Sequence, residues 1–200
     1  MRRTLMARVL TTTLAALLAL TASAASALTP TETVKSRVDE ALQTLSQTSA
    51  ASTDSAERRR AEIRRAADGL FDFTEMSRRA LGRHWAGRTP AERAEFVQLF
   101  TDLIATAYIG KIDRYAGEAI AYTGERVEGG TASVRSHVVT AKGSQIPVEY
   151  RLHLVNESWT AYDVLIENVS LVGTYRSQFD RIIRAESFAD LLRRLREKAA

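Results

Sequence analysis

The sequence predicts an α+β fold. N-terminal helices lead into an antiparallel four-stranded meander sheet, and C-terminal helices follow, with helices packed on one face of a curved sheet. Three observations carry this prediction. From Val34 to Ile112 apolar residues recur at helical spacing. From Ala119 the period drops to two, and tight turns separate the runs. Beyond Gly173 the helical period returns and lasts to Leu195. A curved sheet beneath a helix layer can enclose an apolar cavity between them.

Thr29-Pro30-Thr31-Glu32 reads as a helix start: a threonine cap, a proline at the first position and a glutamate reaching back. Val34, Val38, Leu42 and Leu45 then form one apolar stripe. Ser46 to Ser55 is rich in small polar residues and reads as a loop. Asp54 to Glu57 can cap a second helix, with Ile63, Ala66, Ala67 and Leu70 on one side and arginines from Arg58 to Arg65 on the other. Phe71-Asp72-Phe73 opens a short helix that Gly82 ends. Thr89-Pro90-Ala91-Glu92 repeats the first capping design and opens the longest helix, from Pro90 to about Tyr115. Apolar residues cover more than half of that helix, which is wider than a surface helix needs.

The strands follow in order. Ala119 to Val127, Ala132 to Thr140 and Ile146 to Leu154 alternate, with turns at Glu128-Gly129-Gly130 and Ala141 to Ser144. Asn156-Glu157-Ser158 turns into a fourth strand from Trp159 to near Leu171. Unbroken alternation would put Trp159, Ala161, Asp163, Leu165, Glu167 and Val169 on one side of it. Both sides carry apolar residues, which suits a central strand covered on both faces. Phe179, Ile182 and Ile183 then pack one helix. Ser187 caps a last one, striped by Phe188, Leu191, Leu192 and Leu195.

The first 27 residues read as a cleavable export signal. Arg2, Arg3 and Arg8 precede an apolar run from Val9 to Leu20, and Ala25-Ser26-Ala27 fits small-residue cleavage before Leu28. The run is shorter than the roughly 20 residues of a membrane-spanning helix. Residues 28–200 then form a single domain. The full chain has 28 basic and 24 acidic residues. The signal holds three of the arginines and no acid, so the remainder is close to neutral. That is a poor basis for binding nucleic acid, which needs a concentrated basic face. There is no cysteine, hence no disulfide and no thiol nucleophile.

Two blocks carry a resemblance. The first is Phe71-Asp72-Phe73, Leu81-Gly82, Trp85, Thr89-Pro90, Arg93, Phe96, Phe100, Leu103 and Tyr108. The second is Trp159, Tyr162-Asp163-Val164, Ile166-Glu167, Val169 to Val172 and Tyr175 to Phe179. Together they resemble the MlaC family, the toluene-tolerance auxiliary proteins. Two positions depart from that pattern: Asn168 stands where glycine is usual, and Thr174 where asparagine is usual. The resemblance implies a periplasmic lipid carrier that shuttles phospholipid between outer and inner membranes. Its implied partners are an MCE-domain protein of an inner-membrane ABC transporter and an outer-membrane lipoprotein–porin complex. No cofactor or metal is implied, only bound lipid as cargo.

Phe100, Ile104, Tyr108, Val138, Tyr150, Leu152, Val164, Ile166, Tyr175 and Phe179 are the candidate cavity lining. Their residue types suit plain core packing equally well; the resemblance favours the lining. The chain lacks a G-x-S-x-G elbow, a P-loop, a G-x-G-x-x-G turn and an H-E-x-x-H helix. Its three histidines lack ligand spacing. An enzyme of the same fold would draw on Asp163 with His153 or His137, which can share one sheet face. The opposing reading is a solvated face with charges paired across strands, and Asp163 held by Arg176 or backbone amides. A hopanoid or other lipid as cargo, or an adaptor docking through the arginines from Arg58 to Arg65, are the remaining alternatives.

Overall fold

The two capping boxes start helices where the sequence places them. In the computed structural model, which describes residues 28–47, 61–62, 64–112, 118–140 and 142–199, helix α1 spans Pro30–Gln47. The Thr29 amide donates to Glu32 Oε2 at 2.9 Å and the Glu32 amide to Thr29 Oγ1 at 3.2 Å. The helix runs through Gln47, past the start of the expected loop. The expected export signal, the cap of the second helix and Arg58 to Arg60 lie outside the described residues. Residues 64–68 are helical, with Ala66 and Leu70 buried. Helix α2 (Phe73–Leu81) is capped by Asp72, whose Oδ1 accepts from the Glu75 amide at 2.8 Å. Gly82, at φ +54°, supplies the left-handed turn that ends it. Helix α3 spans Pro90–Ile112, its Thr89–Glu92 box closed at 2.8 and 3.2 Å. Helices α4 (Leu171–Ala185) and α5 (Phe188–Ala199) complete the chain, with Ser187 accepting from the Asp190 amide.

The sheet has five antiparallel strands in sequential order, not four: β1 Ala119–Glu128, β2 Thr131–Val139, β3 Gln145–Val155, β4 Ser158–Ile166 and β5 Val169–Ser170. The expected straight run to Leu171 breaks at Glu167 and Asn168, at φ +51° and +66°. Positive φ at both central residues makes a tight two-residue hairpin. It folds Val169 and Ser170 back onto Ile166 and Leu165. Asparagine tolerates this left-handed backbone better than most residues, which accounts for Asn168 where glycine is usual.

A bulge in β4 sets its faces. Ala161 pairs with Leu152 and Asp163 pairs with Arg151, leaving Tyr162 as the extra residue. Paired residues share a face, and neighbours along a strand point oppositely. Ala161 and Asp163 therefore lie on opposite faces, and the uniform alternation expected from Trp159 to Val169 does not hold. On the first face Ala132, Val134, Leu152, Trp159 and Ala161 are buried in one cluster with Val34 of α1 and Leu70. A second cluster lies among the helices and contains Met76, Leu81, Phe96, Phe100, Phe179, Phe188 and Leu191. Phe71 packs against both. It also forms a parallel bridge to Ala161, in which the Ala161 amide donates to Leu70 O at 2.7 Å and the Asp72 amide to Ala161 O at 2.9 Å. Helices thus flank the sheet on both sides. Helix α1 covers the first face, and α4 departs beside the face that carries Asp163.

Asp163 is 4% exposed, and its partners are local. Oδ1 accepts from the amides of Val164 at 2.9 Å and Val172 at 3.0 Å, and Oδ2 accepts from Ser170 Oγ at 2.6 Å. Arg151 Nη1 stands off at 3.9 Å, and Arg176 lies against Gly82 instead. Ser170 Oγ in turn accepts from the Gly173 amide at 2.8 Å. A Cβ on Gly173 would come within 2.9 Å of that oxygen, so glycine is required there. Replacing Asp163 by alanine removes the acceptor of two buried amides and a hydroxyl, a loss of about 2–4 kcal/mol. Urea unfolding of Asp163→Ala checks this; a loss below about 1 kcal/mol, the scale of an ordinary hydrogen bond, would refute it.

Candidate functional site

The register gathers the five sheet-borne candidates on one face. Val134, Tyr150 and Val164 align across β2, β3 and β4, and beside them run Ala132, Leu152 and Ala161. Ser136, Val148 and Ile166 form the next row, and Val138 opposite Ile146 the one beyond. Burial is graded across this face. Leu152 is fully buried and Val164 is 9% exposed, while Ile166 is 37% and its partner Val169 62% exposed. Val138, Ile146 and Val148 are half-buried. The described helices therefore cover the middle of an apolar face and leave it partly open toward Ile166, with Leu154 also exposed at the other end.

Tyr122, which sequence reasoning did not single out, belongs to this face. It pairs with Ser136 and packs on the sheet-side core. Its hydroxyl is buried with no hydrogen-bond partner among the described residues. Burial raises its pKa most, and the Tyr150 hydroxyl and Asp39 of α1 add to the shift. Burial likewise pushes Tyr150 up to about 12. Both tyrosines report an environment poor in water, since desolvation disfavours the phenolate. The available signal was the alternation of Ile120 and Tyr122, which places both in phase with the apolar set once the register is known.

The helix-borne candidates sit elsewhere. Phe100 and Phe179 are buried edge to face, with ring centroids 5.3 Å apart, and Tyr175 meets Phe100 at 5.1 Å. Ile104 packs against the same cluster. The side chain of Tyr108 lies outside the described residues. The nine candidates with described side chains thus fall into a sheet group and a helix group, with Phe71 between them. Tyr175 and Phe179 also line a cleft of about 430 Å³ between α3, α4 and α5, with Leu103, Ile182, Leu191 and Leu195. The expected enclosed apolar cavity is not shown by the described residues. They form an apolar face and this charged-rimmed cleft.

The acid–base set shares the opposite face but does not converge: His137 pairs with Pro147, six positions along β3 from His153, or about 20 Å, and each member has separate partners. His153 Nε2 lies 3.2 Å from Asp72 Oδ2, without hydrogen-bond alignment, and meets the Tyr162 ring edge-on at 5.6 Å. The guanidinium of Arg79 covers Tyr162 at 3.8 Å. His137 lines a small pocket of about 100 Å³ with Arg135, Glu149 and Asn168. Asp163 is engaged by the start of α4. Among the described residues no group of three or more histidines and carboxylates could hold a metal, and no helix is long and apolar enough to cross a membrane.

Comparison with known proteins adds two findings. The profile of the MlaC protein family matches residues 35–197. The fold is also similar to that of a phospholipid-binding protein from Ralstonia solanacearum, solved in complex with a phospholipid. The two superpose with a TM-score of 0.72 at 25% identity, covering 84% of this chain and 94% of that one.

An unpartnered buried hydroxyl adds nothing to folding and costs its own desolvation. Tyr122→Phe is therefore expected to leave stability unchanged or raise it by up to about 1 kcal/mol in urea unfolding. A loss greater than about 1 kcal/mol would mean that the hydroxyl has a partner in solution.

Proposed function

The chain belongs to the MlaC family, and from that premise we propose that it is a periplasmic carrier of phospholipid. The observation that carries the reading is the likeness, over most of both chains, to a protein solved with a phospholipid bound. The partly open apolar sheet face supports it. Each acyl methylene removed from water is worth about 0.8 kcal/mol, so lipid tails do not cross an aqueous gap unaided at a useful rate. A carrier that covers the tails and leaves the headgroup in solvent solves this without a catalytic residue or metal.

In this reading Val138, Tyr150, Leu152, Val164 and Ile166 contact the tails, with Tyr122 beside them. Phe100, Ile104, Tyr108, Tyr175 and Phe179 complete the lining from the helices. The first 27 residues serve as the export signal, and residues 28–200 form one lipid-binding domain. The carrier exchanges cargo between an outer-membrane lipoprotein–porin complex and the MCE-domain protein of an inner-membrane ABC transporter.

Native mass spectrometry of the protein purified without detergent, followed by solvent extraction, is expected to return diacyl phospholipid at near-equal stoichiometry. A hopanoid would keep the carrier and change the cargo. An empty protein that takes up nothing from vesicles would overturn the proposal. Val164→Trp, at the centre of the apolar face, is expected to abolish lipid carriage while unfolding stays cooperative, at an overpacking cost of about 1–3 kcal/mol. A folded Val164→Trp protein that retains lipid would remove Val164 from the lining.

A further inference from the structure

Helices α2 and α4 pack together; Glu75 of α2 is taken up by Arg78 and Arg79, and at the end of α2 a second group of positive charges gathers around Asp180. Asp180 of α4 receives Arg83 and His84 from the turn after α2, and Arg184 from its own helix one turn on. His84 Nε2 lies at 2.8 Å and Arg184 Nε at 2.9 Å. Arg176, one turn earlier on α4, is exposed, lies against Gly82 and has no acidic partner among the described residues. Two guanidinium groups and an imidazole thus share one carboxylate, and a third guanidinium, Arg176, lies one turn away without an acid among the described residues. The hydrogen bond from His84, then that from Arg83 and the charge of Arg184, hold the Asp180 carboxyl below the usual aspartate range.

Asp180 cannot neutralise this cluster. The side chains of Arg83 and Arg184 are 57% and 61% exposed, so each presents further N–H donors to solvent. A guanidinium fork matches the paired oxygens of a phosphate. The large exposed apolar residues, Leu28, Val127, Leu154, Val155, Ile166 and Val169, all lie off these two helices. This surface therefore lacks the apolar centre of a protein–protein interface. A cationic patch with no apolar centre suits reversible attraction to a dense array of phosphates, and a bilayer of anionic phospholipid provides one.

We propose that the patch formed by Arg83, Arg176 and Arg184 around Asp180 is a docking surface for anionic phospholipid bilayers, separate from the face proposed to hold lipid tails. Binding is electrostatic, so it falls as salt shortens the reach of charge to about 8 Å at physiological ionic strength. The patch meets the membrane surface while cargo sits elsewhere on the molecule, so losing it leaves lipid carriage intact.

The test is co-sedimentation of the protein with vesicles of phosphatidylglycerol and phosphatidylcholine in equal parts, against phosphatidylcholine alone. Affinity for the anionic vesicles is expected to be at least about tenfold higher, and to fall with added salt. At roughly fivefold per surface charge, Arg83→Glu with Arg184→Glu should lower it by about 20-fold or more. Asp180→Asn, which removes the acid at the centre of the patch, should raise it about fivefold. Arg126→Glu, on the exposed far end of β1, changes net charge in the same direction and should cost little. Circular dichroism and native mass spectrometry of the variants check that fold and bound lipid are kept. Equal affinity for both vesicle types, or an equal loss in Arg126→Glu, would overturn the proposal. So would an absence of vesicle binding combined with retention on immobilised polyglutamate that Arg83→Glu/Arg184→Glu abolishes, which would reassign the patch to an acidic protein.

Discussion

The carboxylate of Asp163 is the point on which sheet and helices agree. A buried charge is tolerable only when its oxygens are occupied, and here the occupants are the start of α4 and the strand that carries the charge. The Tyr162 bulge turns Asp163 away from the apolar face toward that helix. The tight turn at Glu167 and Asn168 brings Ser170 back within reach of Oδ2. Once α4 begins there, Tyr175 and Phe179 arrive against Phe96 and Phe100, and the helical core follows. A side chain that looks like a candidate acid in the sequence is thus the fastener between two layers.

That fastening leaves the opposite face with little polar business. Apart from Ser136 its residues are aliphatic or aromatic, and its coverage by α1 and Leu70 is incomplete toward Ile166 and Val169. Contiguous apolar surface left partly open generally marks a binding site. Contacts of this kind are non-directional and scale with area, so they favour tails by size and leave a headgroup weakly read. Two tyrosines with raised pKa values lie within this surface, and neither carries a charge near neutral pH.

Local chemistry was the most legible part of the chain. The paired capping boxes, Ser187 at its helix start, Gly82 at a helix end and the first three strands all follow from residues within a few positions of one another. The hairpin at Glu167 and Asn168 was not legible, because no glycine marks it and apolar residues continue on both sides, from Val164 to Ile166 and from Val169 onward. The bulge at Tyr162 also escaped, since alternation is a property of one strand while a bulge is a property of two. Partition of the lining candidates into two clusters depends on contacts between distant segments. Phe100 and Leu152 are both fully buried large apolar residues, and composition does not say which of two cores each joins. The family itself was legible because the two motif blocks that carry the resemblance span the helical half and the signature strand.

The bridge between Phe71 and Ala161 also bears on the order of assembly. The meander joins neighbours in sequence, so each hairpin can close early and cheaply. Phe71 and Ala161 are ninety positions apart, and closing such a loop costs roughly 4 kcal/mol in the logarithmic entropy term alone. The contact that caps the edge of β4 is therefore a late arrival. Until it forms, a strand rich in aromatic and branched residues has an open rim, which is the geometry through which one chain recruits another into a shared sheet. A newly made chain is most exposed to self-association in that interval, after its sheet has formed and before the segment at Phe71 has docked.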